Sequence, residues 1–188
     1  MRTGTLAAIG ALSSLLAGCG QPSDAPTPEA NATPPPTDAR AALSQELTRE
    51  GFAALRMSEE ERAALSAAVE ASKWTELPAS VFPERIRRFD GVDARIEGWM
   101  IPGRIKQRRV LDFMLVRDNA ACCFGAMPGA DEWIHVEMEE GASAEYVRYA
   151  KIAVEGVLTV GGAAVVDGMQ PPALRLRARA CQIIEKPR

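Results

Sequence analysis

Histidine is almost missing from these 188 residues: His135 is the only one. With one imidazole, no phosphate loop, no acidic dyad and no Ser-His-Asp order, the chain offers no recognisable catalytic set. Positive charge is not in excess either. The formal charge is −3, which argues against a nucleic-acid partner, because phosphate binding wants a basic footprint. Past the first nineteen residues, no apolar run approaches the roughly 18 residues that a membrane helix needs. What remains is 47% apolar and 25% charged, ordinary for a globular chain with room for one modest domain plus extras. A non-catalytic protein is the expectation.

The N-terminus is the most specific stretch. Arg2 supplies a short positive n-region, and Leu6–Leu16 is an apolar h-region of signal-peptide length. It ends in Leu15–Cys19 (LLAGC), where small residues precede a cysteine placed as the lipid acceptor of a bacterial lipoprotein. Residues 1–18 therefore read as a signal peptide and Cys19 as the lipid attachment site. Gly20, rather than an aspartate, after the cysteine resembles lipoproteins sorted to the outer membrane. Acyl chains contribute about 0.8 kcal/mol per buried methylene, so the predicted location is lipid-anchored, periplasm-facing and on the outer membrane. Residues 19–38 come next as a Pro-rich tether, with Pro34–Pro36 in a row and no apolar periodicity.

Residues 39–73 turn helical. Leu43, Leu47 and Ala54 can share a stripe that Gly51 interrupts. Ser58 with Glu61 spells a capping box, and Leu65, Ala68 and Val69 continue it at helical spacing. The pattern predicts helices near Ala41–Arg56 and Glu59–Lys73, packed on the C-terminal β segment or on a partner.

Residues 74–188 read as β. Val92, Ala94, Ile96, Gly98 and Met100 alternate with polar neighbours and Trp99. Val110–Val116 is nearly all apolar, and Asp112 within it asks for a structural hydrogen bond. Ile134, Val136 and Met138 oppose Trp133, His135 and Glu137. Ser143–Ala150 reads as a short helix capped by Ser143. Ile152, Val154, Gly156, Leu158 and Val160 alternate again. Last, Leu174, Leu176, Ala178 and Ala180 oppose Arg175, Arg177, Arg179 and Cys181. Five strands with a helix between the third and fourth predict a mainly β (α+β) fold, a small OB-like five-stranded barrel preceded by tether and helices. Ile96–Gly103 and Val154–Gly161 look alike, each ending at a glycine turn.

Asn119–Pro128 (NAACCFGAMP) falls between two strands, where function tends to sit. With Cys19 lipidated, Cys122, Cys123 and Cys181 remain, and besides three inert buried thiols, three readings stay open. An oxidising periplasm favours a structural bridge from Cys181 to Cys122 or Cys123. A Zn or Cu site could instead use these thiolates with His135 or Met127. Thiol–disulfide chemistry is the third, since strand parity puts Cys181 among Arg175, Arg177 and Arg179, which would lower its pKa. Trp99 and Trp133, on the polar parity of their strands, join Phe124 and Met127 as a candidate partner surface, the alternative being that the N-terminal helices cover the two tryptophans. Arg104, Lys106, Arg108 and Arg109 form a basic turn able to touch lipid head groups.

Several of these pieces occur together in one bacterial family. Trp74-x-x-Leu77-Pro78, Gly98–Pro102 (GWMIP), Leu111–Val116, Cys122–Gly125 (CCFG), Pro128, Glu132-Trp133 and Val154–Leu158 resemble domain of unknown function 3299. The resemblance covers roughly Trp74–Ile184. It implies a small secreted or lipid-anchored β domain, considered alongside ABC-type export or metal-uptake systems, with no established activity. Many relatives carry histidine and a proline run beside the loop cysteine, where this chain has Cys123, Phe124 and Gly125. The leading expectation is an accessory or binding module of a membrane system, with an ABC-type transporter or other envelope protein as partner. A periplasmic metal-handling protein and a redox protein are the alternatives.

Overall fold

The alternating segments close on themselves. In the structure, a computed structural model that describes residues 37–120, 128–165 and 170–186, the barrel strands are β1 (Asp93–Pro102), β2 (Asp112–Val116), β3 (Trp133–Met138), β4 (Lys151–Val160) and β5 (Leu174–Glu185). They pair in the order β1-β2-β3-β5-β4 and return to β1. All neighbours are antiparallel except β3 and β5, which run parallel. That is the expected OB-like barrel. Cys19, tether residues 20–36, Cys122, Cys123, Phe124 and Met127 lie outside the described residues, while residues 37 and 38, expected as the end of the tether, open the first helix.

The inward faces are those the alternation predicts. Ile96, Phe113, Leu115, Ile134, Val136, Val154, Leu158, Leu174 and Leu176 are buried in one cluster, each fully buried side chain contributing about 1.5–3 kcal/mol. Such a narrow barrel needs strands to approach closely. A Cβ on Gly98 would sit 2.5 Å from the Val116 carbonyl oxygen, and one on Gly156 would lie 2.8 Å from the Ala178 Cα. The two look-alike segments thus use glycine for the same purpose.

Helix α1 (Thr37–Glu50) and helix α2 (Glu59–Ala71) bury Leu47, Leu65 and Val69 in that same cluster, so their apolar faces are satisfied by the barrel. Gly51, at φ +55°, ends α1 four residues after Leu47 rather than interrupting a longer helix. The capping box is formed: the Glu61 N–H donates to Ser58 Oγ at 3.2 Å, and the Ser58 N–H to Glu61 Oε2 at 2.8 Å. The first half of β1 extends past the end of β2, and α1 covers it. The Arg95 N–H donates to Thr48 Oγ1 at 3.1 Å, occupying a donor that an exposed strand edge would leave free.

Three expectations are corrected. Residues 74–92 are mostly not strand: they hold a 3-10 turn and α3 (Glu84–Arg87), which place Phe82, Ile86 and Phe89 in the core. The run Val110–Val116 is broken at Leu111, whose N–H donates to the Arg104 carbonyl at 2.9 Å. Ser143–Ala150 is not a helix. Ala144 bridges to Val110 through two backbone hydrogen bonds of 2.9 and 3.0 Å, and the Ser143 hydroxyl accepts from Arg109 Nε instead of capping.

Candidate partner-binding surface

Register brings the two tryptophans together. Trp99 pairs with Val116, and Val116 with Trp133. Directly opposed residues share a face, so the three form one outward row across β1, β2 and β3. Lys151 extends it from β4, opposite Trp99, with its ammonium 5.7 Å from the ring centroid, within cation–π range. Both tryptophans are half-buried. Val116, between them and on the outer side, is only 1% exposed.

Trp99 floors a groove of about 640 Å³ whose other wall is the turn Gly51–Arg56 after α1. That wall is held from below. Asp131, buried against the barrel, accepts the Met57 N–H at 2.7 Å and faces Arg62 Nη1 at 3.4 Å. Asp131 itself is aimed by a turn in which the Glu132 carboxylate accepts the Gly129 N–H at 2.9 Å and pairs with Arg117 at 2.8 Å. Nothing in the local sequence marked Asp131, since an acidic residue beside Glu132 reads as solvated loop. Most charges along the groove are matched. Glu97 takes Lys151 at 3.0 Å and Arg95 at 2.7 Å; the hydrogen bonds from Lys151 and then Arg95 hold its pKa below the usual carboxylate range. Arg56 is exposed and makes no ion pair among the described residues.

Cys181 is not where strict alternation put it. The ladder passes from Glu155–Ala180 to Gly156–Ala178, leaving Arg179 as an extra residue. This β-bulge reverses the parity of the residues that follow, up to a second register shift at Ile184. Cys181 therefore opposes the core residue Val154 and packs against the core, with no disulfide partner among the described residues. Burial pushes its pKa up to about 11, the opposite of the thiolate that neighbouring arginines would favour. His135 faces outward between Met114 and Arg175, so the structure does not bring it together with Cys181. Burial lowers the imidazole pKa, with Asp112 opposing in part, which favours the neutral form. Among the described residues, no group of three or more His, Cys, Asp or Glu is placed to hold a metal ion. No helix among them is long and apolar enough to cross a membrane.

Asp112 makes the structural hydrogen bonds expected of it. It accepts the Arg104 N–H at 2.7 Å and pairs with the Arg104 guanidinium. Burial alone would raise its pKa, but the Arg104 N–H and guanidinium together outweigh that and keep it below its ordinary value. A depressed folded pKa adds stability above the unfolded value, about 4, and loses it as pH falls through the folded one. An Asp112→Asn chain should therefore be less stable than the parent at neutral pH and converge on it during acid titration. Urea midpoints that keep a constant gap down to pH values well below about 4 would count against this.

A crystal structure of a DUF3299 family protein from Pseudomonas aeruginosa PAO1 is similar at 20% identity, over 70% of this chain and 85% of that one, with a TM-score of 0.45. No curated protein matches the chain. The family model described as "Protein of unknown function (DUF3299)" matches residues 31–176, spanning both helices and the barrel into β5, and the chain belongs to that family.

Proposed function

We propose that this is a non-catalytic envelope lipoprotein, held at the periplasmic face of the outer membrane through Cys19, whose barrel docks a protein partner in the Trp99 groove. The observation that carries the docking reading is the outward row Lys151–Trp99–Val116–Trp133 beside a wall fixed by Asp131. An aromatic platform in a preformed groove is the usual anchor of a protein interface. Its matched charges suit a polar rim, and Arg56 is left to meet an acidic group on the partner. The family resemblance makes a component of an ABC-type transport system the partner to seek first.

The test is photo-crosslinking in intact cells from a benzophenone residue replacing Ala53, which is exposed on the same wall of the groove. The expected result is a defined adduct with one envelope protein that is lost in Trp99→Ala and retained in Trp99→Phe. Adducts that ignore Trp99→Ala would overturn the docking site. Palmitate labelling that survives Cys19→Ala would separately overturn the anchor.

A further inference from the structure

We propose that the β1–β2 hairpin is a membrane-surface contact that recognises anionic phospholipid. Ile105–Lys106 pairs with Arg109–Val110 around Gln107 and Arg108. Both turn residues have positive φ, 49° and 66°, the geometry of a two-residue type I′ turn, which ordinarily selects Asn-Gly. This turn instead keeps a long cation at its tip. Ile105 is 56% exposed, the most exposed of the large apolar side chains among the described residues. Its neighbours Lys106 and Arg108 make no ion pair among the described residues, whereas Arg104 is committed to Asp112 and Glu137.

An exposed apolar side chain with unpaired cations beyond it at the turn fits one kind of ligand well. A bilayer surface offers phosphate oxygens to the cations and an acyl boundary to the isoleucine, and free phosphate offers only the first. The same end of the barrel adds to the patch. Residues 143–150 are tied to the hairpin through Ala144–Val110 and Ser143–Arg109. They carry the exposed Tyr146 and Tyr149, with the Arg148 guanidinium 4.6 Å over the Tyr149 ring. Tyrosines of this kind present an apolar body and a polar tip to a headgroup region. Glu139 and Glu140 line the groove behind the hairpin, so attraction is confined to the turn tip.

The experiment compares the full chain on phosphatidylglycerol vesicles and on phosphatidylcholine vesicles by hydrogen exchange. Amides of residues 104–110 are expected to exchange more slowly on the anionic vesicles, with the difference abolished by high salt. Each tip cation should contribute about fivefold to the docked population. Lys106→Glu should remove most of the protection. Arg108→Gly is the decisive variant: glycine suits the positive φ, so the hairpin should be at least as stable while docking falls. Equal protection on the two vesicle types, or full protection in Arg108→Gly, would overturn the proposal. Retention on the neutral vesicles reports on the Cys19 anchor alone, so the two readings fail independently.

Discussion

A Gly156→Ala chain is expected to lose about 3–4 kcal/mol of stability, at the top of the overpacking range because the collision is with backbone, and a large share of what a marginally stable domain has. The added methyl would run into the Arg177 carbonyl oxygen and lie 2.8 Å from both the Arg177 carbonyl carbon and the Ala178 Cα. All three are backbone atoms of β5, so no side chain can rotate away to make room. The strands would have to separate at the bulge, where Arg179 already lies outside the regular pairing. Gly141→Ala is the control: its φ is +83° but nothing lies within 4 Å of the new methyl, so only the left-handed backbone cost of about 1–2 kcal/mol applies. Urea unfolding of the two variants separates collision from strain. Equal losses would mean that β4 and β5 are not packed closely enough for a methyl to collide.

The same bulge marks the boundary of what the sequence can reveal. Inward and outward faces of β1, β3 and β4 follow from simple alternation, because each strand is half-buried and its register is fixed by the core. The Ser58–Glu61 box was legible for a similar reason, since both partners lie within one helical turn. Leu174 to Cys181 also alternates without a break in the sequence, yet the extra residue Arg179 turns Cys181 inward. Only the partner strand shows it: Glu155 and Gly156 are consecutive, while their partners Ala180 and Ala178 are not. Ser143–Ala150 failed likewise, through a long-range bridge to Val110 that overrides a local capping signal. Of the candidate surface, Trp99 and Trp133 were legible from parity. That Lys151 lies over Trp99 required the β1–β4 register.

Asp131 was not legible at all, and its removal should have the second largest effect. An Asp131→Ala chain is expected to lose about 2–3 kcal/mol, mainly because the Met57 N–H would be left in the interior without an acceptor. Met57 is 4% exposed and the Asp131 side chain 1%, so water cannot easily replace the carboxylate. Arg62 adds less, since its side chain is 39% exposed and can return to solvent. Asp131→Asn, which keeps an amide oxygen for Met57, should cost only about 1 kcal/mol. Arg62→Ala should cost less than Asp131→Ala, and a double-mutant cycle would give the coupling between them. The consequence extends to the groove. Met57 ties down the turn Gly51–Arg56 that forms its wall, so Asp131→Ala should speed amide exchange there and reduce the Trp99-dependent adduct with Trp99 itself untouched. Unchanged exchange in that turn would show that burial of Phe52 and Leu55 holds the wall without Asp131. The carboxylate would then be an internal brace for the barrel loop, with no part in shaping the groove.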